Sequence, residues 1–127
     1  MIQLLTGLPD GVVGIEAVGQ VEASDYTTVV EPAVRAALER SERIRLLYVL
    51  GEGFDGYSAA ASWEDAKLGI GHWSAWERIA VVTDRGWIRD GIKAFGWMFP
   101  GEVRVFPNAD EAGARAWMSA EGEVAAR

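Results

Sequence analysis

The sequence predicts one α/β domain built on a mostly parallel five-stranded sheet, in the order β-β-α-β-α-β-α-β-α. Three observations support this fold class. Short apolar runs alternate with longer segments of helical spacing, which is typical of parallel strands joined by helices. The 127 residues match the size of one domain, and half of them are hydrophobic, which is enough to form a core. The first two runs are separated only by a turn, so we expect an antiparallel hairpin at one edge.

The hairpin is predicted from its turn. Two apolar runs, Ile2–Leu5 and Val12–Val18, lie on either side of Leu8–Gly11, which contains a proline, an aspartate and a glycine. These residue types favour turns. We therefore expect the two runs to pair with each other.

The first helix follows the hairpin. Apolar residues recur at positions i, i+3, i+4 and i+7 from Tyr26 to Leu38, the spacing of one buried helix face. Pro32 lies within this pattern and removes a backbone hydrogen bond. The sequence therefore predicts a helix that is kinked at Pro32.

A central strand comes next. Ile44–Leu50 is apolar without strict alternation, as expected for a strand covered on both faces. Gly51–Gly53 should end it, and Phe54–Gly56 should form a loop. The same criteria give the remaining elements, which are a helix from Tyr57 to about His72, a strand at Ile79–Thr83, a helix at Trp87–Met98, a strand at Val103–Phe106 and a helix from Asn108 through Trp117. We expect a domain over residues 1–118 and a flexible C-terminal tail at 119–127.

Composition limits the possible functions. The 12 basic and 19 acidic residues give a net charge of −7, which disfavours nucleic-acid binding. Without cysteine, the chain has no disulfide and no thiolate metal site, and we expect neither a metal nor another cofactor. No apolar run approaches the roughly 18 residues needed to span a bilayer. We therefore expect a cytoplasmic protein without an integral membrane segment.

Several motifs occur in the order seen in a known family. They are Leu8-Pro9-Asp10, Leu46–Gly51, Trp63–Lys67, Thr83-Asp84, Gly86-Trp87 and Pro100–Phe106. On these motifs the chain resembles the SpoIIAA-like branch of the STAS fold, over residues 1 to about 118. The resemblance implies the fold but no specific activity. It suggests two roles, because anti-sigma factor antagonists bind a partner protein and are switched by phosphorylation, whereas the related Sec14-like lipid-transfer domains hold an apolar ligand.

The resemblance to the antagonists also suggests a phosphorylation site. Their target serine opens the helix after the central strand, in a pattern of aspartate, two hydroxyl residues and glycine. Here the corresponding residues are Asp55, Gly56, Tyr57 and Ser58, so Ser58 is displaced by one or two positions. Capping of the second helix is the favoured interpretation of Ser58, and phosphorylation is the alternative.

The third helix is apolar over more of its circumference than one covered face requires. One stripe should face the sheet and contains Ile88, Ile92, Phe95 and Phe99. A second stripe lies about 100° round the helix and contains Trp87, Gly91, Ala94 and Met98. Trp97 points in a further direction. Loops could cover this surplus, and so could a ligand, a second subunit or a membrane surface; these interpretations stay open.

A row of basic residues lies beside the apolar stripes. Arg85, Arg89 and Lys93 recur every four residues and form a candidate anion-binding edge. A solvated helix face, with an ion pair to Asp90, is the favoured interpretation.

Enzymatic interpretations have little support. Glu52, Asp55 and Asp84 should lie near the carboxyl ends of parallel strands and could bind magnesium, but turn formation and capping explain such residues as well. His72, the only histidine, has no recognisable Ser-Asp partners. We therefore assign no catalytic residue.

The leading hypothesis is a noncatalytic binding domain that holds a small apolar molecule or lipid between its second and third helices. The expected ligand-binding residues are Tyr57, Trp63, Trp87, Phe95 and Trp97. The alternative is a protein-interaction module that uses the third helix, either as a homodimer or as an antagonist-like regulator.

Overall fold

A five-stranded mixed sheet forms the centre of the computed structural model, which describes residues 1–58, 60, 61, 63–65, 67, 75–98 and 101–120. The strands lie in sequence order across the sheet. Their bounds are β1 (Ile2–Leu4), β2 (Val12–Val21), β3 (Ile44–Tyr57), β4 (Trp76–Thr83) and β5 (Glu102–Phe106). β1 pairs with β2 antiparallel, and the other three neighbouring pairs are parallel. The predicted fold class is confirmed.

In the part of the chain that the structure describes, four helical segments join and cover the strands. α1 consists of a short turn at Ala23–Asp25, a π-helical turn at Tyr26–Val30 and an α-helix at Glu31–Leu38. The described residues between 60 and 67 are helical and form α2. α3 spans Gly86–Phe95 and continues as a 3₁₀ turn at Gly96–Met98, while α4 spans Glu111–Ser119 after a 3₁₀ turn at Asn108–Asp110. No helix in the described part is long and apolar enough to cross a membrane.

The two faces of the sheet carry separate apolar clusters. Alternate residues of β3 show this division, because Leu46 and Tyr48 point to one face and Leu47 and Val49 to the other. The first face is covered by α1, by Ala61 of α2 and by two isoleucines of α3. The second face is covered by α4 and by the loop after β1. The lack of alternation in β3 thus reflects burial on both sides, as its sequence predicts.

The predicted end of β3 is wrong. Gly51–Gly53 and the expected loop at Phe54–Gly56 belong to the strand, which ends at Tyr57. β2 also continues beyond Val18 to Val21, and its last residues pair with this extension through an irregular register. Gly56 has a φ of 126°, a conformation that glycine adopts without steric cost. The pairing with β2 therefore overrides the turn-forming tendency of the glycines.

A π-helical turn comes directly before the α-helix that contains Pro32, and the kink at Pro32 stays a prediction. The turn ends where the N–H of Glu31 donates to the carbonyl of Tyr26, five residues back. Pro32 then lies in the first turn of the α-helix that begins at Glu31. A missing N–H is tolerated at that position, because the first N–H groups of a helix have no partner within the helix.

Candidate functional site

Four of the five expected ligand-binding residues are exposed. Trp63 on α2 is 64% exposed, and Trp87 and Phe95 on α3 are 63% and 65% exposed. Trp97, in the 3₁₀ turn after α3, is 79% exposed. Tyr57, at the end of β3, is half-buried and packs against the core. We call the four exposed side chains the aromatic surface.

The inner face of α3 is narrower than its sequence predicts. Ile88 and Ile92 pack against the core, but Phe95 does not follow them. Gly96 lies close to β5, since an added Cβ there would be 3.8 Å from the Cβ of Val103. Phe95, the residue before it, is 65% exposed. Phe99, the last residue of the predicted stripe, lies outside the described residues.

The basic row beside the aromatic surface is partly engaged within the protein. The Arg85 guanidinium donates to the carbonyl of Phe54 and lies 5.7 Å from the centre of that ring. Arg89 is 3.7 Å from the carboxylate of Asp90. Lys93 is exposed. Anion binding by this row stays a prediction.

A chain of tyrosine hydroxyls lies beneath α1 and α2. The Tyr26 and Tyr48 hydroxyl oxygens are 2.8 Å apart, and the Tyr57 hydroxyl donates to Tyr48 over 2.9 Å. Asp65 on α2 is close to this group, since its negative charge adds to burial in raising the pKa of Tyr26. Tyr26, Tyr48 and Tyr57 are the three tyrosines of the sequence. We call these three residues and Asp65 the tyrosine chain.

The phenols of this chain stay neutral over the physiological pH range. Burial is the largest cause, and together with the negative charge of Asp65 it raises the pKa of Tyr57 to about 12. The pKa values of Tyr26 and Tyr48 are raised further above their ordinary value, mainly by burial. All three side chains therefore act as hydrogen-bonding hydroxyls.

Ser58 connects the tyrosine chain to the start of α2. Its N–H donates to the carbonyl of Val21, and its hydroxyl oxygen accepts from the N–H of Ala61 over 3.0 Å. The latter bond is an N-cap, which leaves the hydroxyl engaged in holding the first turn of α2. Phosphorylation of Ser58 stays a prediction.

The acidic residues considered for magnesium lie in different settings. Asp84 accepts a hydrogen bond from the N–H of Asn108 over 3.0 Å, and Asp55 is an exposed residue of β3. The Glu52 side chain and His72 lie outside the described part of the chain. Within that part, no three potential metal ligands come together.

Sequence reasoning missed the tyrosine chain, although a signal was present. Tyr26 occupies a core-facing position of α1, and Tyr48 lies in a strand expected to be buried on both faces. A buried phenol needs a hydrogen-bond partner. The three tyrosines of the sequence lie at predicted core-facing or adjoining positions, where each can serve as a partner of another.

Comparisons with known proteins agree with this fold. A family model described as SpoIIAA-like matches residues 12–119. Among solved structures, the chain is similar to an uncharacterized protein of the DUF3478 family with a SpoIIAA-like fold from Shewanella loihica PV-4. The two share 27% identity over 93% of this chain and 92% of that one, with a TM-score of 0.71. No curated protein matches significantly. The family match covers most of the chain, which therefore belongs to the SpoIIAA-like family.

Proposed function

We propose that this chain is a noncatalytic binding domain that holds a small apolar molecule or lipid at the aromatic surface of α2 and α3. The observation that carries the proposal is the exposure of Trp63, Trp87, Phe95 and Trp97. Indole and phenyl rings are expensive to leave in water, so the exposure of four of them on two helices that cover the same face of the sheet favours a ligand that covers them.

The size of the aromatic surface supports this proposal. At about 200 Å² for each ring, the four side chains together expose roughly 500 Å² of mostly apolar area. The largest apolar patch on a typical monomer is about 300–600 Å² and often has a function. The summed exposure of the four rings is of that order, and Met98, which follows Trp97 in the chain, is also 51% exposed.

The elements that carry these rings keep them available. Ile88 and Ile92 anchor α3 to the core, and Ala61 anchors α2 to the same face of the sheet. Trp97 donates its indole N–H to the carbonyl of Ala94 over 3.0 Å. The indole nitrogen of Trp97 therefore already has a hydrogen-bond partner in α3, and the face of the ring can contact an apolar ligand. The expected relation to lipid-transfer domains would fit this role and stays a prediction.

Native mass spectrometry and solvent extraction of protein purified from its own host test the proposal. We expect a bound apolar molecule in stoichiometric amount, and we expect Trp63→Ala to reduce its occupancy. Leu4→Ala is the matched control, because Leu4 is 54% exposed but lies on β1, away from α2 and α3. Protein that is empty after gentle purification, and that binds no added apolar probe, would contradict the proposal.

A second candidate function, self-association through α3, is favoured by the outer stripe of this helix. Exposed Trp87 and Met98 lie at its two ends, and the small residues Gly91 and Ala94 lie between them. An antiparallel second copy would place Trp87 against the partner's Met98 across the small residues. This arrangement permits close approach of two helices.

Light scattering separates the two candidates. Self-association predicts a dimer that Trp97→Glu dissociates without loss of helical signal, with Leu4→Glu as the control for a new charge on an exposed apolar residue. A monomer at high protein concentration would remove this candidate and leave ligand binding in place.

A further inference from the structure

The two edges of the sheet differ in what covers their backbone. β1 forms one edge, where the N–H of Ile2 donates to the carboxylate of Asp25 on α1. β5 forms the other edge and pairs only with β4 in the part of the chain that the structure describes. Among those residues, no backbone hydrogen bond reaches Glu102–Phe106 from any other element. The outer N–H and C=O groups of β5 are therefore available to a further strand.

The side chains of β5 alternate between the two faces of the sheet. Val103 lies on the first face, beside Gly96. Arg104 lies on the second face, where its guanidinium is 4.6 Å from the centre of the Trp117 ring of α4. Glu102 shares that face, since it is two residues away. The Glu102 and Arg104 side chains are 60% and 53% exposed. The open edge therefore presents one acid and one base on the same face.

These charges restrict how a second copy could pair with β5 about a two-fold axis. Such an axis makes the two strands antiparallel and keeps each face of the sheet on its own side. An axis between two residues would oppose side chains of different faces, so the axis passes through a residue. On Glu102 or Arg104 it would set like charges directly opposite, which is destabilising. On Val105 it would reach Pro107, which has no N–H to donate. On Val103 it sets Glu102 opposite the partner's Arg104, and the reverse.

An exposed aromatic side chain lies next to this position. The 3₁₀ turn Gly96–Met98 contacts β5, and Trp97 within it is 79% exposed. With the axis on Val103, the turns of both copies lie on the same face of the joined sheet, on either side of the axis. A strand of five residues buries little area for a stable dimer, and the two Trp97 rings add apolar area beside it.

We propose that this chain forms a homodimer in which β5 pairs antiparallel with β5 of a second copy, with the two-fold axis on Val103. The two ion pairs between Glu102 and the partner's Arg104 fix the register, and one sheet runs through both copies. This inference goes beyond the proposed function and needs no ligand. It also differs from self-association through α3, in which helices make the contact.

Charge reversal tests the pairing. Glu102→Lys and Arg104→Glu each set like charges opposite each other in a homodimer. By analytical ultracentrifugation we expect a dimer for the original full chain, and a dissociation constant at least about tenfold higher for either variant alone. An equimolar mixture of the two variants should dimerise again, because each reversed charge then meets its opposite across the interface. The ion pair within one chain cannot produce this recovery.

Two controls separate pairing from net charge and from unfolding. Glu31→Lys and Arg35→Glu reverse the charges of an exposed ion pair on α1, whose side chains are 2.7 Å apart. They change the net charge by the same amounts, and we expect each to leave the dissociation constant within about threefold of the original. Glu102→Lys leaves Arg104 on the Trp117 ring, so its circular dichroism signal should be unchanged.

Three outcomes would overturn the inference. The original chain is monomeric at every concentration; the β5 variants dimerise as tightly as the original, which would place the interface elsewhere; or their mixture associates no more tightly than each variant alone. Ligand occupancy is measured separately, so each of these results leaves the proposed function standing.

Discussion

The aromatic surface and the tyrosine chain contain the same class of side chain in opposite environments. Tyr26 and Tyr48 are almost fully buried, whereas Trp87 and Trp97 keep most of their rings in solvent. The difference lies in where the polar atom finds its partner. Each phenol reaches another phenol across the core, but the indole of Trp97 bonds to its own helix. The comparison indicates that the tyrosines contribute to the stability of the fold, while the exposed aromatics remain available for binding.

The largest expected effect is the loss of stability at high pH, where the buried tyrosines ionise. The folded pKa of Tyr57 is raised from 10.0 to about 12, and those of Tyr26 and Tyr48 are raised as well. Groups with a raised folded pKa contribute stability that is complete below pH 10 and is lost as the pH rises further, because the unfolded chain ionises first. We therefore expect tyrosine ionisation, measured by ultraviolet absorbance, to coincide with loss of the circular dichroism signal. Ionisation of any tyrosine near pH 10 in the folded protein would contradict the burial of the chain.

Tyr48→Phe tests the same region without a change of pH. Tyr48 is the central member, and its loss leaves the hydroxyls of Tyr26 and Tyr57 without their shared partner. We expect the free energy of unfolding in urea to fall by about 2–3 kcal/mol, the range for leaving buried polar groups unpaired. Tyr57→Phe, at the half-buried end, is the control and should cost less. Equal costs for the two variants would show that the chain does not act as a connected network.

The sequence predicted the elements of the fold better than their ends. Apolar periodicity identified β3 and α1, because burial on a sheet or beneath a helix leaves a repeating pattern. The end of β3 was misplaced since its pairing with β2 is nonlocal and overrides the glycines of residues 51–56. The exposure of Phe95 was not predicted either, because its helical spacing groups it with Ile88 and Ile92.

For the candidate site, the surplus apolar surface of the third helix indicated that Trp87 and Trp97 are available to a ligand or partner. The sequence could not indicate the tyrosine chain as a unit. Tyr26, Tyr48 and Asp65 come from a helix, a strand and a second helix, and only the packing of these elements brings the two hydroxyls into contact with Asp65 nearby. A tyrosine at a buried position signals that it needs a hydrogen-bond partner, but no local pattern in the sequence says which residue that partner is.

Ser58→Ala tests the element that connects the two regions, since α2 carries both Trp63 and Asp65. The variant removes the N-cap that accepts from Ala61, and we expect it to cost about 1 kcal/mol of unfolding free energy. Ser58→Asp keeps a capping oxygen and should recover most of that loss. If both variants are as stable as the original chain, the start of α2 does not depend on this cap.

Trp97→Ala should have the smallest effect on stability. It tests the aromatic surface, whereas the preceding variants test the tyrosine chain and the start of α2. The ring is 79% exposed, and its one hydrogen bond is to the adjacent turn of α3, so little buried contact is lost. We expect a change within about 0.5 kcal/mol in urea unfolding, as for most surface substitutions. The same variant should weaken the binding of 1-dodecanol, because the ring belongs to the proposed ligand surface. Loss of stability without loss of binding would contradict this expectation. It would show that Trp97 stabilises the fold, as the tyrosines do, and does not bind the ligand.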